Sequence, residues 1–238
     1  MTALEGKLVA VIGGTAGIGL AVAQLAMAAG AQVCIGSHDE TRLGVALALL
    51  GRGARGQRVD VGDEASLAEF FTWSGTVDHL VYTAGDWARR KATPGKGFVM
   101  ADAQRAFDIR FWGLLRTLDV ALPHLAKDGS IVLTGGLLAH RPQKGQAISS
   151  AVTGAVEHLA KGLAVDFAPI RVNVVVPGFI ATDVWARMPE AAVAGLVAGQ
   201  AIERPGQAQE VAEAYLAFMH ATYTTGQAVI VDGGMSLA

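Results

Sequence analysis

The residues whose types and spacing promise chemistry lie near the start of the chain. Gly13, Gly17 and Gly19 fall in the run Ile12-Gly-Gly-Thr-Ala-Gly-Ile-Gly19. That run follows a nearly continuous apolar stretch, Lys7 to Ile12, and opens a series of strong helix formers that stops at Gly30. A strand that ends in glycines and passes straight into a helix makes an anion cradle. The glycines let the backbone turn sharply and approach a ligand closely, and the free N–H groups of the helix N-terminus point at a phosphate. A glycine-rich turn alone also serves as a plain strand–helix connection, so the surrounding elements must decide.

Those elements alternate from end to end. Strands are read at Lys7 to Ile12, Gln32 to Gly36, Arg58 to Val61, His79 to Thr83, Ser130 to Thr134, Arg171 to Val176 and Ala228 to Val231. Helices are read at Gly17 to Ala29, Thr41 to Leu50, from an Asp63 cap to about Trp73, Ala101 to Leu122 and Ala147 to Phe167. The Gly- and Arg-rich piece Gly51 to Arg58 reads as a turn, and Lys91 to Gly97 as an exposed loop. This alternation with short connections predicts an α/β fold, a Rossmann-like doubly wound parallel sheet in a single domain covering residues 1–238. In such a sheet ligands bind at the carboxyl ends of the strands, near the switch in strand order.

Composition narrows the partners. With 52% apolar and 17% charged residues the chain can bury a large core, and a net charge of −2 without a basic cluster argues against nucleic acid. The apolar runs are strand-sized, far below the ~20 residues that span a bilayer, and the N-terminus has no secretory h-region. A cytoplasmic protein without membrane contact is expected. The single cysteine, Cys34, lies in an apolar run and reads as a small core residue. There is no HExxH, CxxC or GxSxG spacing, so no metal site and no hydrolase nucleophile are expected.

The spacing Gly13-x-x-x-Gly17-x-Gly19 is wider than the ordinary GxGxxG. It resembles the TGxxxGxG of the short-chain dehydrogenase/reductase family, with Ile12 in place of the Thr. Further landmarks stand in the family's order: Asp60-Val61, Thr83-Ala84-Gly85 for NAG, Arg171-Val-Asn-Val-Val-Val-Pro-Gly178 for RVNxxxPG, Ile180-Ala-Thr182 for IxT, and the closing Asp232-Gly-Gly234. The resemblance covers essentially the whole chain. It implies a nicotinamide dinucleotide with its pyrophosphate on Gly13, Thr15, Gly17, Ile18 and Gly19, and its adenine at Asp60 and Val61. It further implies contacts at Ala84 and Gly85, and a nicotinamide seated by Pro177, Gly178, Ile180 and Thr182. It also implies a small-molecule substrate and a homo-oligomer, dimer or tetramer, built through the fourth and fifth helices; the small-residue face around Ala151, Ala155 and Leu159 is compatible with that.

The choice of cofactor turns on Gly36-Ser-His-Asp-Glu-Thr-Arg42. An acid at the end of the second strand would bind the ribose hydroxyls of NAD, and a basic group without an acid would take a 2′-phosphate. Ser37 stands at the acid position and His38 where NADP users often carry Arg, with Thr15 and Arg42 able to add a hydroxyl and a guanidinium. NADP(H) is favoured, and NAD(H) stays open through Asp39.

The resemblance breaks at the catalytic groups. The family's reaction uses an Asn, a Ser, a Tyr and a Lys four residues after the Tyr. By position these fall on Arg110, Gly136, Ser149 and Thr153, so none of the four is present. The chain's tyrosines, Tyr82, Tyr215 and Tyr223, lie far from that register. A serine hydroxyl is a far weaker acid than a phenol, and Thr153 brings no charge to help it. Loss of general acid–base help costs ~10²–10⁴-fold in rate. Arg110, always charged, suits an electrostatic clamp on a carboxylate or developing oxyanion. It reads equally as half of a structural ion pair. His140, Arg141 and Lys144, after the fifth strand, are candidate proton donors or plain solvated loop residues. Trp87, Trp112 and Trp185 are candidate pocket walls, and Trp185 to Arg204 reads as a mobile lid. Three readings stay open: an oxidoreductase with a non-standard proton path, a redox-silent dinucleotide-binding regulatory or structural protein, and a non-redox isomerase or cyclase in the same pocket.

Overall fold

The computed structural model describes residues 4–85, 97–183 and 188–237. The strands are β1 (Leu8–Ile12), β2 (Gln32–Ser37), β3 (Ala54–Arg58), β4 (Val77–Tyr82), β5 (Leu125–Thr134), β6 (Arg171–Pro177), β7 (Ile180–Ala181), β8 (Gly206–Gln207) and β9 (Ala228–Val231). The helices are α1 (Gly17–Ala28), α2 (Glu40–Leu50), α3 (Glu64–Ser74), α4 (Met100–Phe107), α5 (Leu114–Ala121), α6 (Ala147–Asp166), α7 (Glu190–Val197) and α8 (Ala208–His220). One parallel sheet runs in the order β3-β2-β1-β4-β5-β6-β9, and β7 pairs with β8 apart from it. The order reverses between β1 and β4, which places the glycine turn after β1 at the switch point.

The central strands are apolar without alternation because both faces are covered. Leu8, Ala10 and Ile12 of β1 join one core with Leu67, Phe70 and Phe71 of α3, Leu114 and Leu118 of α5 and Val156 of α6. Val9 and Val11 join the other with Ala21 and Val22 of α1, Leu43 of α2, and Tyr215 and Phe218 of α8. Cys34 is fully buried, and burial pushes its thiol up to about 12.

Three expectations about elements need correction. The third strand is Ala54–Arg58, not Arg58 to Val61, and the expected turn at Gly51 to Arg58 is largely that strand. β3 is the sheet edge, laddered to β2 alone from Val33↔Ala54 to Ser37↔Arg58, so backbone pairing holds it without an apolar run. Asp60 and Val61 therefore follow the strand. The expected helix Ala101 to Leu122 is broken by a π-helical turn, Asp108–Gly113, between α4 and α5. The segment expected as a lid, Trp185 to Arg204, carries α7, while residues 184–187 lie outside the described residues.

Helix α8 is an addition to the sequence reading. Its signals are local: a capping box between Gln207 and Glu210, and buried Val211, Ala212, Tyr215, Phe218 and Met219 on one face. The Asp63 cap is where it was expected, its carboxylate accepting from the Ala65 N–H at 3.0 Å.

Candidate active site

The glycine turn is held against the end of β4. The N–H groups of Thr83 and Ala84 both donate to the Ile12 carbonyl, and the Thr83 hydroxyl is shared between the carbonyls of Ile12 and Gly13 at 3.2 Å each. Gly13 has φ +94°, and a Cβ there would lie 2.6 Å from the Ala84 nitrogen; one on Gly19 would lie 2.3 Å from the Gly13 carbonyl oxygen. Only hydrogen fits at either position. The turn thus leads into the N-terminus of α1, whose first-turn N–H groups have no intrahelical acceptor and no side-chain cap. Ile18 packs on the α1-side core.

The opposite wall comes from the far end of the chain. Thr182 lies across from the turn, with its Cγ2 3.1 Å from where a Gly17 Cβ would stand. Ile180 is buried in the core beneath it. After Pro177, the Gly178 N–H donates to the Val231 carbonyl, and a Cβ on Gly178 would lie 2.6 Å from Asp232. Asp232 accepts from the N–H groups of Gly234 at 2.8 Å and Ser236 at 2.7 Å. Burial pushes its carboxyl up, but those donors outweigh burial and hold it below the usual range. The closing Asp-Gly-Gly is a buttress for the wall.

At the end of β2, Ser37 is nearly buried and its Oγ stands 3.3 Å from the Thr15 hydroxyl, so the two small side chains close one end of the cradle. Asp39 points away: it caps α2, accepting from the Arg42 N–H at 3.0 Å, and that bond lowers its pKa. The Arg42 guanidinium turns to the same carboxylate at 3.5 Å, and His38 is exposed. Asp60 is exposed, its Oδ1 accepting from the Gly62 N–H. Val61 packs against Gly113, its Cγ2 2.8 Å from where a Cβ would stand.

Arg110 lies on the π-turn, and its guanidinium covers Gly85: a Cβ on that glycine would lie 2.8 Å from the Arg110 Cζ. The turn is tied to β4 by Tyr82, whose phenol donates to the Ile109 carbonyl at 2.6 Å. Burial pushes the phenols of Tyr82 and Tyr215 up, and the nearby Arg110 charge partly opposes this in both. Tyr215 reaches the same edge through the Thr134 hydroxyl at 2.7 Å. A positive charge therefore sits at the carboxyl ends of β4 and β5.

Gly136, Ser149 and Thr153, the positions the resemblance matches to Ser, Tyr and Lys, are joined by short contacts. Gly136 faces Thr153, whose Cγ2 lies 2.7 Å from where a Cβ would stand. The Thr153 hydroxyl turns back to the Ser149 carbonyl at 2.8 Å, and the Ser149 hydroxyl donates to Gln146 at 3.1 Å. Ser150 bonds its own helix at the Gln146 carbonyl, Arg141 donates to the Met235 carbonyl, and Lys144 is exposed. His140 instead meets Glu157 of α6 at 2.8 Å, a partner that a reading along the chain passes over. Trp112 is exposed on the π-turn; Trp87 and Trp185 lie outside the described residues. Among the described residues no cluster of metal-ligating side chains forms and no helix is long and apolar enough to cross a membrane.

Comparison with known proteins agrees with this geometry. The family model described as enoyl-(acyl carrier protein) reductase matches residues 13–236. The short-chain dehydrogenase/reductase ucsE of Acremonium sp is 34% identical, with 99% of this chain and 97% of that protein covered. The structure described as MalC reductase/Diels-Alderase from Malbranchea aurantiaca superposes with a TM-score of 0.91 at 32% identity, covering 100% of this chain and 99% of that one. A small-chain dehydrogenase in complex with NADPH superposes with a TM-score of 0.80 at 28% identity over 98% of this chain and 99% of its own. A seven-stranded parallel sheet, a glycine cradle at its switch point and a match along nearly the whole sequence lead to one assignment: the chain belongs to the short-chain dehydrogenase/reductase family of nicotinamide-dependent oxidoreductases.

Proposed function

We propose that the chain is an NADP(H)-dependent reductase of a small molecule, with a proton path that does not use the family's Tyr and Lys. The observation that carries this reading is the approach of Thr182 to Gly17, which preserves the nicotinamide end of the cradle beside the pyrophosphate end. A redox-silent dinucleotide binder would need the second end and not the first. Preference for NADP(H) is supported by Ser37 in place of an acid, by Asp39 being engaged as a helix cap, and by exposed His38 and Arg42 beside them. The neighbour described with NADPH supports it too.

Glycines that no Cβ could replace fit such a cofactor. When bound, a reduced nicotinamide supplies a hydride. The free backbone N–H groups at the head of α1 hold the pyrophosphate, Gly13 allows its close approach while its own N–H goes to the Gly36 carbonyl, Asp60 and Val61 border the adenine, and Ala84 and Gly85 form the floor. Pro177, Gly178, Ile180 and Thr182 hold the carboxamide. Arg110 brings to Gly85 a fixed positive charge that stabilises negative charge developing on a substrate oxygen. It does so from the π-turn, at the position the resemblance matches to the family's Asn. Ser149 is the second candidate group, its hydroxyl donating to Gln146. Because neither is a good acid, substrates that need little protonation, such as iminium ions and conjugated alkenes, are the least penalised.

Fluorescence titration with NADPH and NADH, followed by a panel of carbonyl, imine and enone compounds, tests this. Tight NADPH binding with cofactor consumption is expected; no consumption across the panel overturns it. A second reading, a non-redox cyclisation in the same pocket with Arg110 as anion hook, draws on the dual description of the MalC protein. Product that forms without any cofactor would favour it.

A further inference from the structure

Ser149, Thr153 and Glu157 follow one another at four-residue spacing on α6 and so share one face. All three are buried, at 5%, 3% and 8% exposure. The first two occupy the vacated Tyr and Lys positions; the third continues the row one turn further, ~6 Å along the helix axis. Its carboxylate is stretched between two environments. Oε2 lies 2.8 Å from His140 Nε2, and the His140 side chain is 36% exposed on the turn that follows β5. Oε1 points to the end of β5, 3.4 Å from where a Gly135 Cβ would stand, and has no hydrogen-bond partner among the described residues.

A buried carboxylate oxygen left unpaired is destabilising, because it has given up water for nothing, and such a group calls for a reason. Gly135 puts no side chain of its own between that oxygen and the end of β5, and Val174 and Val176 border the same spot. The other basic groups of the loop are committed or remote: Arg141 to the Met235 carbonyl, Lys144 to solvent. We propose that His140 and Glu157 form the proton inlet of this site, carrying protons from solvent to the floor that the missing Tyr and Lys would have served. The role rests on the reductase reading above. In the step it serves, a carbonyl carbon accepts a hydride from the reduced nicotinamide while its oxygen takes a proton from a crevice water, which Glu157 in turn reprotonates. The carboxylate is reprotonated by the imidazole, the imidazole by solvent, and the cofactor leaves oxidised. Neither residue touches the substrate; both are relay residues.

The test compares a ketone, ethyl 4-chloroacetoacetate, with a substrate whose reduction needs no proton, the N-methyl-3,4-dihydroisoquinolinium cation. Both are reduced with NADPH by the wild type, His140→Gln and Glu157→Gln. The relay predicts that each variant loses about 10²-fold in kcat on the ketone and keeps the wild-type rate on the iminium. Equal loss on both substrates, or no loss on the ketone, overturns the relay and leaves the reductase reading intact. No turnover of either substrate by the wild type overturns the reductase reading and the relay with it. A second readout needs no cofactor: nitrogen-15 spectra of the imidazole should show an Nε2–H ring in the wild type, released in Glu157→Gln. An Nδ1–H ring in the wild type also overturns the relay.

Discussion

The Tyr82 phenol donates to the Ile109 carbonyl at 2.6 Å, tying β4 to the π-turn that carries Arg110 over Gly85. Such turns gather at functional sites. Here a buried side chain from β4 adds a hydrogen bond to the turn. Tyr82→Phe should lower stability by about 0.5–1.5 kcal/mol, because that hydrogen bond is lost. It should also weaken NADPH binding while keeping the fold, which urea unfolding and fluorescence titration would read in parallel. Unchanged stability would show that the bond does not hold the turn.

The cradle glycines make a sharp contrast with glycines elsewhere. A Cβ on Gly19 would lie 2.3 Å from backbone oxygen, whereas a Cβ on Gly44, inside α2, meets nothing within 4 Å. Gly19→Ala should abolish measurable NADPH binding. Gly44→Ala should leave binding alone and raise stability by about 0.5–1 kcal/mol, since it removes chain entropy from the unfolded state and adds helix propensity. Titration and thermal melts of both variants check this; NADPH binding retained by Gly19→Ala would remove the cradle from its assigned role.

Cofactor preference should turn on Ser37. Ser37→Asp puts a carboxylate where Thr15 and Ser37 now close the cradle at 3.3 Å. A 2′-phosphate would be repelled and ribose hydroxyls accepted, so the NADPH-to-NADH affinity ratio should fall at least about tenfold, or ~1.4 kcal/mol. A ratio that does not move would place the discriminating contact elsewhere.

Restoring the missing serine alone should be costly. A Cβ added at Gly136 would meet the Thr153 methyl at 2.7 Å. Gly136→Ser is expected to cost about 1–3 kcal/mol by overpacking. Adding Thr153→Ala should recover most of that, giving a coupling energy well above the few tenths found for independent sites. Additive losses in a double-mutant cycle would contradict the contact.

His79 sets an acid limit on stability. It is buried at 5% exposure against the Ser130 hydroxyl at 2.8 Å, and burial lowers its pKa from 6.5 to about 4. In this window the unfolded chain binds a proton that the folded chain refuses. Stability is therefore full above about pH 6.5 and is lost as pH falls towards 4, by about 3 kcal/mol in all. His79→Gln should flatten that slope between about pH 6.5 and about pH 4 in urea unfolding. A slope identical to wild type would assign the acid loss to carboxylates instead.

What the amino-acid order settles by itself is whatever depends on neighbours along the chain. Gly13, Gly17 and Gly19 announce the cradle because a strand–glycine–helix passage is local, and the continuous apolar runs announce strands covered on both faces. The expectation that Ser149 and Thr153 stand at the family's Tyr and Lys positions is likewise a local reading, counted from flanking motifs. Other features exist only once the chain is folded. β3 has no apolar run to betray it, because an edge strand is held by its backbone ladder to β2. The π-turn under Arg110 takes a hydrogen bond from a phenol of another element. The retirement of Asp39 into a cap needs the geometry of α2. The meeting of His140 with Glu157 is decided by how α6 lies along β5, and no spacing between those two residues encodes it. Local pattern selects the elements; packing alone decides which side chains face one another, because that choice depends on contacts between residues far apart in sequence.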